Sequence, residues 1–269
     1  MMMQQRKNRH PFIVIRRQIS VSIILLIAFV FPLSAQDSLN NQVSFENNIP
    51  SKIYQFKVEK LIVPATMIGI GFAGVYNGWM RSCNREIRND LQKHIDSKIK
   101  IDDYSRYAPI VALYGLDLCG VKAMHSISDR TTVAVTSILL MVTSVYTLKH
   151  IVREERPDVS NKYSFPSGHT AMAFLGAQLL WNEYKDESVW IGLSGYAVAT
   201  GTGFLRLYNN RHWLTDVVAG AGIGILSAKA AYWLLPFMHH KILKKNKMNV
   251  VALPAISNKS AGLSCVVCF

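Results

Sequence analysis

Cysteine is scarce in this chain, with four residues in 269. That excludes a disulfide framework. Cys265-Val-Val-Cys268 has a redox spacing, but it lies in the last five residues without a strand–helix context, and Cys119 reads as a packing residue inside an apolar segment. No cluster of His, Cys and carboxylates stands at metal-ligand spacing, so neither a metal nor another cofactor is expected. Charge is also sparse: 17% of residues are charged and 50% are hydrophobic, an apolar balance for a soluble protein. No long basic run is interleaved with aromatics, which excludes a nucleic-acid partner. Internal repeats are absent.

The apolar residues that are present fall into blocks. Arg6, Lys7, Arg9, Arg16 and Arg17 precede an apolar run from Val21 to Pro32, and Leu33-Ser34-Ala35 follows. This pattern predicts an export signal over 1–35 with cleavage after Ala35. The chain carries a net charge of +13, and the remainder, with 25 basic and 17 acidic residues, retains +8. Such a surplus suits an anionic membrane surface or an anionic substrate. Residues 36–56 are polar and rich in Asn and Ser, the composition of a linker. Six apolar segments follow at roughly 60–80, 107–123, 131–149, 170–183, 188–205 and 213–238. They predict an all-α multi-helix bundle over 57–240, with about six membrane-embedded helices and the active site at one end. The third and sixth segments are long enough to span a bilayer, whereas the second is short and contains Asp117. Between the first two, Ile87, Leu91 and Ile95 form one apolar stripe on an otherwise charged helix, suited to the membrane interface or to capping the mouth of a site. Residues 241–269 are a basic, then β-like, tail.

Two polar stretches interrupt the blocks, Lys149–His169 (KHIVREERPDVSNKYSFPSGH) and Arg206–Asp216 (RLYNNRHWLTD). Lys149 and Arg156 follow segment three, Ser167-Gly168-His169 open segment four, Arg206 ends segment five, and His212 and Asp216 open segment six. If segments four and five pair as a hairpin, all of these gather at one end of the bundle. Lys149, Arg156 and Arg206 would grip a phosphate with charge-assisted hydrogen bonds. Gly168 would admit the anion to the backbone, and the N–H groups at the start of the following helix would point at it. His212 and Asp216, four apart, share a helix face. A carboxylate on one ring nitrogen would leave the other free to attack phosphorus, and His169 would protonate the leaving oxygen. His150 adjoins Lys149 but points elsewhere on its helix; Arg153, Glu154, Glu155 and Arg211 read as solvated loop charges or headgroup contacts, and His125, His239 and His240 as ordinary helix-end residues.

The three pieces in order, Lys149-x6-Arg156-Pro157, Pro166-Ser167-Gly168-His169 and Arg206-x5-His212-x3-Asp216, resemble the motif of the type 2 phosphatidic acid phosphatase superfamily, which includes bacterial class A acid phosphatases and vanadium haloperoxidases. The resemblance covers about residues 57–240. It implies metal-independent phosphoester hydrolysis through a phosphohistidine, with His212 as nucleophile, Asp216 as its orienter and His169 as general acid. It makes Lys149, Arg156, Ser167, Gly168 and Arg206 phosphate binders. One departure is Leu205, where the family usually has Ser before the third-motif Arg.

The reading that follows is a bacterial envelope phosphatase acting on a phosphorylated membrane lipid. The alternatives are a soluble periplasmic nonspecific acid phosphatase and a nonenzymatic lipid-binding or transport membrane protein. A haloperoxidase is disfavoured by the short chain and its apolar segments. Orientation is argued both ways. Lys241, Lys244, Lys245 and Lys247 favour a cytoplasmic tail and, after six crossings, a site facing the periplasm from the inner membrane. The export signal places residues 36–56 outside and would reverse this. The expected resolution is a failed crossing at the short second segment, or export of the whole domain. Both keep the site outside the cytoplasm.

Overall fold

The computed structural model describes residues 58–93, 95, 97–238, 249–257 and 260–268. The expected export signal, the 36–56 linker, His239, His240 and the tail lysines lie outside the described residues. Residues 52–240 form one compact unit. Its helices are α1 (Glu59–Tyr76), α2 (Gly78–Gln92), α3 (Asp102–Ser105), α4 (Ala108–Leu118), α5 (Ile127–Val152), α6 (Gly168–Tyr184), α7 (Val189–Tyr208) and α8 (Leu214–Met238). Separately, β1 (Asn249–Ser257) and β2 (Ser260–Cys268) pair antiparallel, with Ala252 opposite Cys265 and Asn249 opposite Cys268.

Local chemistry sets the helix ends. Asn77 caps α2 by accepting from Trp79 N at 2.9 Å and Met80 N at 3.2 Å. Ser126 caps α5 by accepting from Asp129 N at 3.2 Å, and Ser167 caps α6 at Thr170 N. These side-chain oxygens satisfy N–H groups that the first turn leaves free. At the other end of α5, Arg153 adopts a left-handed conformation with φ 51° and turns the chain into the Lys149–His169 loop.

α6 is the centre of the bundle. Its buried residues run almost its full length, from Thr170 to Tyr184, and α4, α5, α7 and α8 pack around it. Small residues let the helices approach closely. A Cβ added at Gly220 of α8 would stand 2.4 Å from Ser167 O, and one at Gly224 would stand 2.2 Å from Ala171 O. Here α8 lies directly on the backbone that opens α6.

The contacts define two ends. Thr215, His169, Lys149 and Arg206 mark the site end, and Tyr184, Glu183, Arg130 and Tyr232 mark the far end. α1 begins beside Lys229, whose Nζ donates to Lys60 O at 2.9 Å, and arrives at Thr215, against which Gly74 packs. The α3–α4 run leaves from Asp103 at His169 and reaches Leu113, whose carbonyl accepts from Tyr184 Oη at 2.8 Å. α5 returns to the site end, α6 leaves it, α7 returns and α8 leaves. The second segment thus runs from the site end of the bundle toward the far end. α4 is short, at 11 residues, or about 16 Å of helix, and the loop after it covers the rest. Asp117 near its end is paired with Arg130 at 2.9 Å.

Three helices among the described residues, α1, α5 and α8, are long and apolar enough to cross a membrane. Ile62, Val63 and Ile70 of α1, Leu139 and Val142 of α5, Leu193, Val198 and Phe204 of α7, and Leu234 and Phe237 of α8 are exposed. An apolar flank of this extent suits hydrocarbon better than water.

Candidate active site

Both polar stretches meet at the site end. His212 precedes α8 and is 3% exposed. Its Nδ1 stands 3.7 Å from Asp216 Oδ2, an ion-pair distance longer than a hydrogen bond. Burial pushes His212 down to about 3, so the ring is neutral at neutral pH and retains a lone pair for attack. Asp216 is held firmly: its Oδ2 accepts from Ser164 Oγ at 2.5 Å and Trp213 N at 2.9 Å, and its carbonyl accepts from Ser167 N at 3.0 Å. The last bond ties the second motif to the third.

The cations converge on the same place. Lys149 Nζ donates to Tyr163 O at 2.7 Å and Ser164 O at 3.3 Å, which leaves one ammonium proton uncommitted in those bonds. Arg206 Nη1 pairs with Asp102. Burial, then the nearby Arg206, lowers Arg156 from its ordinary value. The Nε atoms of Arg106, Arg156 and Arg206, together with His212 Nδ1 and Asp216 Oδ1, are buried without a hydrogen-bond partner. Buried donors normally find partners, and several unmet ones side by side make a cradle for an anion.

Ser167 and Gly168 open α6 beside this cradle. Ser167 Oγ lies 2.9 Å from Thr170 Oγ1, so the hydroxyl serves the helix cap. A Cβ at Gly168 would meet only Val145 Cγ1, at an ordinary 3.5 Å; packing within the protein does not itself require glycine there. His169 is the second residue of α6. One of its nitrogens, Nε2, lies 2.9 Å from Asp103 Oδ1 and 3.1 Å from Arg106 Nη1.

α2 roofs the loops. Asn84 Nδ2 donates to Thr215 Oγ1 at 2.8 Å, Arg88 reaches Asn210 Oδ1 at 3.0 Å and Pro157 O at 3.1 Å, and Gln92 Nε2 reaches Tyr208 O at 3.1 Å. A small cleft between α2 and His212 is lined by Ile87, Leu91, Trp213 and Leu214. The apolar stripe thus faces the mouth of the site.

Several residues here escaped the sequence reading. Asp102, Asp103 and Arg106 come from α3 and its C-cap, and their sole signal was a DDYSR run directly before an apolar segment. Glu154, read as a solvated charge, has a buried Oε2 without a partner; burial, then Asp216, raises its carboxyl to about 8. Arg211 pairs with Asp158 at 3.0 Å. The expectation that no metal-ligand cluster exists also needs correcting, because Asp102, Asp103 and His169 bring ligand atoms within 4.8 Å of one another. They suit a cation poorly. Asp102 already accepts from Arg206 and from Asn209 Nδ2 at 3.1 Å, and two guanidinium groups flank the cluster.

Part of the chain is similar to known proteins. Residues 130–239 match the PAP2 superfamily model. A lipid A 1-phosphatase of Porphyromonas gingivalis is 38% identical over 136 residues, covering 50% of this chain and 31% of that protein. The bacitracin transport permease protein BcrC of Bacillus licheniformis is 33% identical over 100 residues, covering 36% of this chain and 47% of that protein. The chain therefore spans less than half the length of either relative. Among solved structures, Aquifex aeolicus LpxE is 24% identical with a TM-score of 0.41, covering 56% of this chain and 92% of that one. A transmembrane PAP2-type phosphatidylglycerolphosphate phosphatase from Bacillus subtilis is 18% identical with a TM-score of 0.44, covering 68% and 97%.

Proposed function

We propose that this chain, PAP2-like over residues 130–239, hydrolyses a phosphate monoester or pyrophosphate on a membrane lipid, without a metal ion, through a phosphohistidine. The observation that carries the reading is the set of buried, unmet Nε atoms of Arg106, Arg156 and Arg206 around the neutral, buried His212. Phosphate oxygens would satisfy those donors, and the cations would stabilise the charge that builds on pentacoordinate phosphorus.

In the first half-reaction the free nitrogen of His212 forms a bond to phosphorus as the ester P–O bond breaks, and His169 gives its proton to the departing oxygen. In the second, water attacks the phosphohistidine and His169 takes the water proton. The P–N bond breaks, inorganic phosphate leaves and His212 is neutral again. Asp216, fixed by Ser164 and Trp213, places a negative charge beside His212 while that ring is phosphorylated and positive. Lys149, Ser167 and Gly168 complete the cradle.

The apolar flank of the bundle supports a lipid over a soluble ester. Phosphatidate, phosphatidylglycerol phosphate, polyprenyl pyrophosphate and lipid A all present a suitable group, and the 38% identical relative puts lipid A first. The transport name of the other relative motivates the second reading, a nonenzymatic transport protein. Phosphate release from a panel of these four lipids by the purified full chain in detergent, with His212→Ala as blank, separates the two. No release from any of them would sink the phosphatase reading.

We place the site at the periplasmic face of a bacterial inner membrane. If all six apolar segments cross, the lysines at 241, 244, 245 and 247 belong on the side opposite the site, and the bias of basic residues toward the cytoplasm then supports a periplasmic site. The export-signal pattern argues the reverse. Asn161→Cys, in a chain whose native cysteines are replaced by Ser, should react in intact cells with a thiol reagent that passes only the outer membrane. Labelling only after the inner membrane is broken would overturn the placement.

A further inference from the structure

His169 and His212 are equipped differently. His212 has Asp216 at 3.7 Å, while His169 has a nearer carboxylate, Asp103 at 2.9 Å. Asp103 lies outside the three motif pieces. It sits between the two cationic partners of the cradle, with Oδ1 also 3.9 Å from Arg206 Nη1. Its neighbour Asp102 is buried and ties α3 to Arg206 and Asn209. Asn209 returns two further bonds to the segment before α3, accepting from Ile99 N at 2.9 Å and donating to Ile99 O at 2.6 Å. The α3 turn is thus pinned to the end of α7, and pinning it fixes where the Asp103 carboxylate meets the imidazole.

We infer that Asp103 is the positioning residue for His169, forming with it a second histidine–carboxylate dyad that favours the protonated ring and turns it for its proton-transfer role. The inference rests on the proposed phosphatase reading and deepens it. The charge inventory around the ring makes the need plain. Arg106 Nη1 lies 3.1 Å from Nε2 and 3.4 Å from Nδ1, and Arg206 stands on the next helix, so two cations oppose the imidazolium. His169 is also mostly buried, with a side chain 21% exposed. Asp103 is the carboxylate facing the ring that opposes these effects, though burial and the two arginines still outweigh it and hold His169 below its ordinary value; Asp102 acts at one remove through Arg206. The coupling is felt in return, because the hydrogen bond with His169 is the main cause holding Asp103 below the usual carboxylate range. A general acid that could not hold its proton would fail where the leaving oxygen is poor and would be dispensable where it is good.

Two measurements test this on the full chain in detergent. By NMR, the His169 ring signal, identified by its loss in His169→Ala, should show a protonation midpoint at least one pH unit lower in Asp103→Asn and higher in Arg106→Gln. General loss of structure would not move the two variants in opposite directions. By kinetics, Asp103→Asn should lower kcat at least tenfold on an alkyl phosphate but less than threefold on p-nitrophenyl phosphate, with KM changed less than threefold. Asp103→Glu should restore kcat on the alkyl ester to within threefold of the native chain. An unmoved midpoint in Asp103→Asn would overturn the dyad even if the native chain releases phosphate. The expected shifts without phosphate release from any ester would retain the dyad and sink the phosphatase reading.

Discussion

Each end of the bundle brings together a histidine, a carboxylate and an arginine, and the two ends treat them differently. At the far end, Glu183 accepts from His125 N at 3.0 Å, lies 2.9 Å from His125 Nδ1 and takes the Tyr232 hydroxyl. Arg130 donates to Tyr184 Oη at 3.0 Å, Leu113 O at 3.4 Å and Asp117 at 2.9 Å. Arg130 Nε and Asn182 Nδ2 are the unmet atoms there among the described residues. At the site end, three guanidinium Nε atoms, His212 Nδ1 and Asp216 Oδ1 are all unmet. The difference separates cement from machinery. Most bonds at the far end close on one another and hold helices together, while the site end keeps more guanidinium donors over, as a network built around something the chain does not supply would.

The largest test of that contrast is His212→Ala. It should cut phosphate release by about 10³-fold or more, because it removes the nucleophile of a group that works as a unit. The unfolding midpoint should barely move. Release within tenfold of the native rate would show that the unmet end is not the reactive one.

Glu183→Ala should do the reverse. It strips the partner from His125 and from the buried Tyr232 hydroxyl, at a cost of about 3–5 kcal/mol. Thermal unfolding in detergent should therefore fall, while kcat per folded molecule stays within twofold. A large loss of kcat at unchanged stability would make the far end part of the chemistry.

A smaller effect comes from Glu154. Burial and Asp216 raise its carboxyl to about 8, so the folded chain holds that proton where the unfolded chain, near 4.5, has lost it. Its contribution to stability is complete below about 4.5 and is lost as pH rises through about 8. The unfolding temperature should decline over that window, and Glu154→Gln should flatten the decline. An equal decline in the variant would assign it to other groups.

The smallest effects concern what the site should not need. EDTA should reduce phosphate release less than twofold, because Asp102 and Asp103 are already spent on Arg206, Asn209 and His169. Loss on chelation, restored by a divalent ion, would reject the phosphohistidine route. Leu205→Ser should change the rate less than tenfold, under about 1.4 kcal/mol of barrier. A much larger gain would mean that the missing hydroxyl had left the native site impaired.

Much of the bundle was legible because helix-length apolar runs carry their own signal. The placement of Lys149, Arg156, His169, Arg206 and His212 at one end followed from their position at the ends of those runs. What stayed hidden depended on contacts distant in sequence. Asp103 meets His169 across 66 positions, and Asp102 meets Arg206 across 104. Nothing in a DDYSR run says which helix end it will cover. Glu154 looked like one of four charges in a polar loop, and only the fold buries its carboxyl against Asp216. His125 looked like an ordinary helix-end residue, yet the fold binds it to Glu183.

Gly220 gives the arrangement its tolerance. A single methyl there would come within 2.4 Å of Ser167 O, so the clearance between the backbone that follows His212 and the backbone that opens α6 is finer than one carbon atom. The site is therefore toleranced by the main chain itself, because the atoms a methyl at Gly220 would meet are all backbone atoms of Ser167 and Ala171. The smallest change in the genetic repertoire would wedge α8 away from α6 and carry His212 with it, without touching any residue of the motifs.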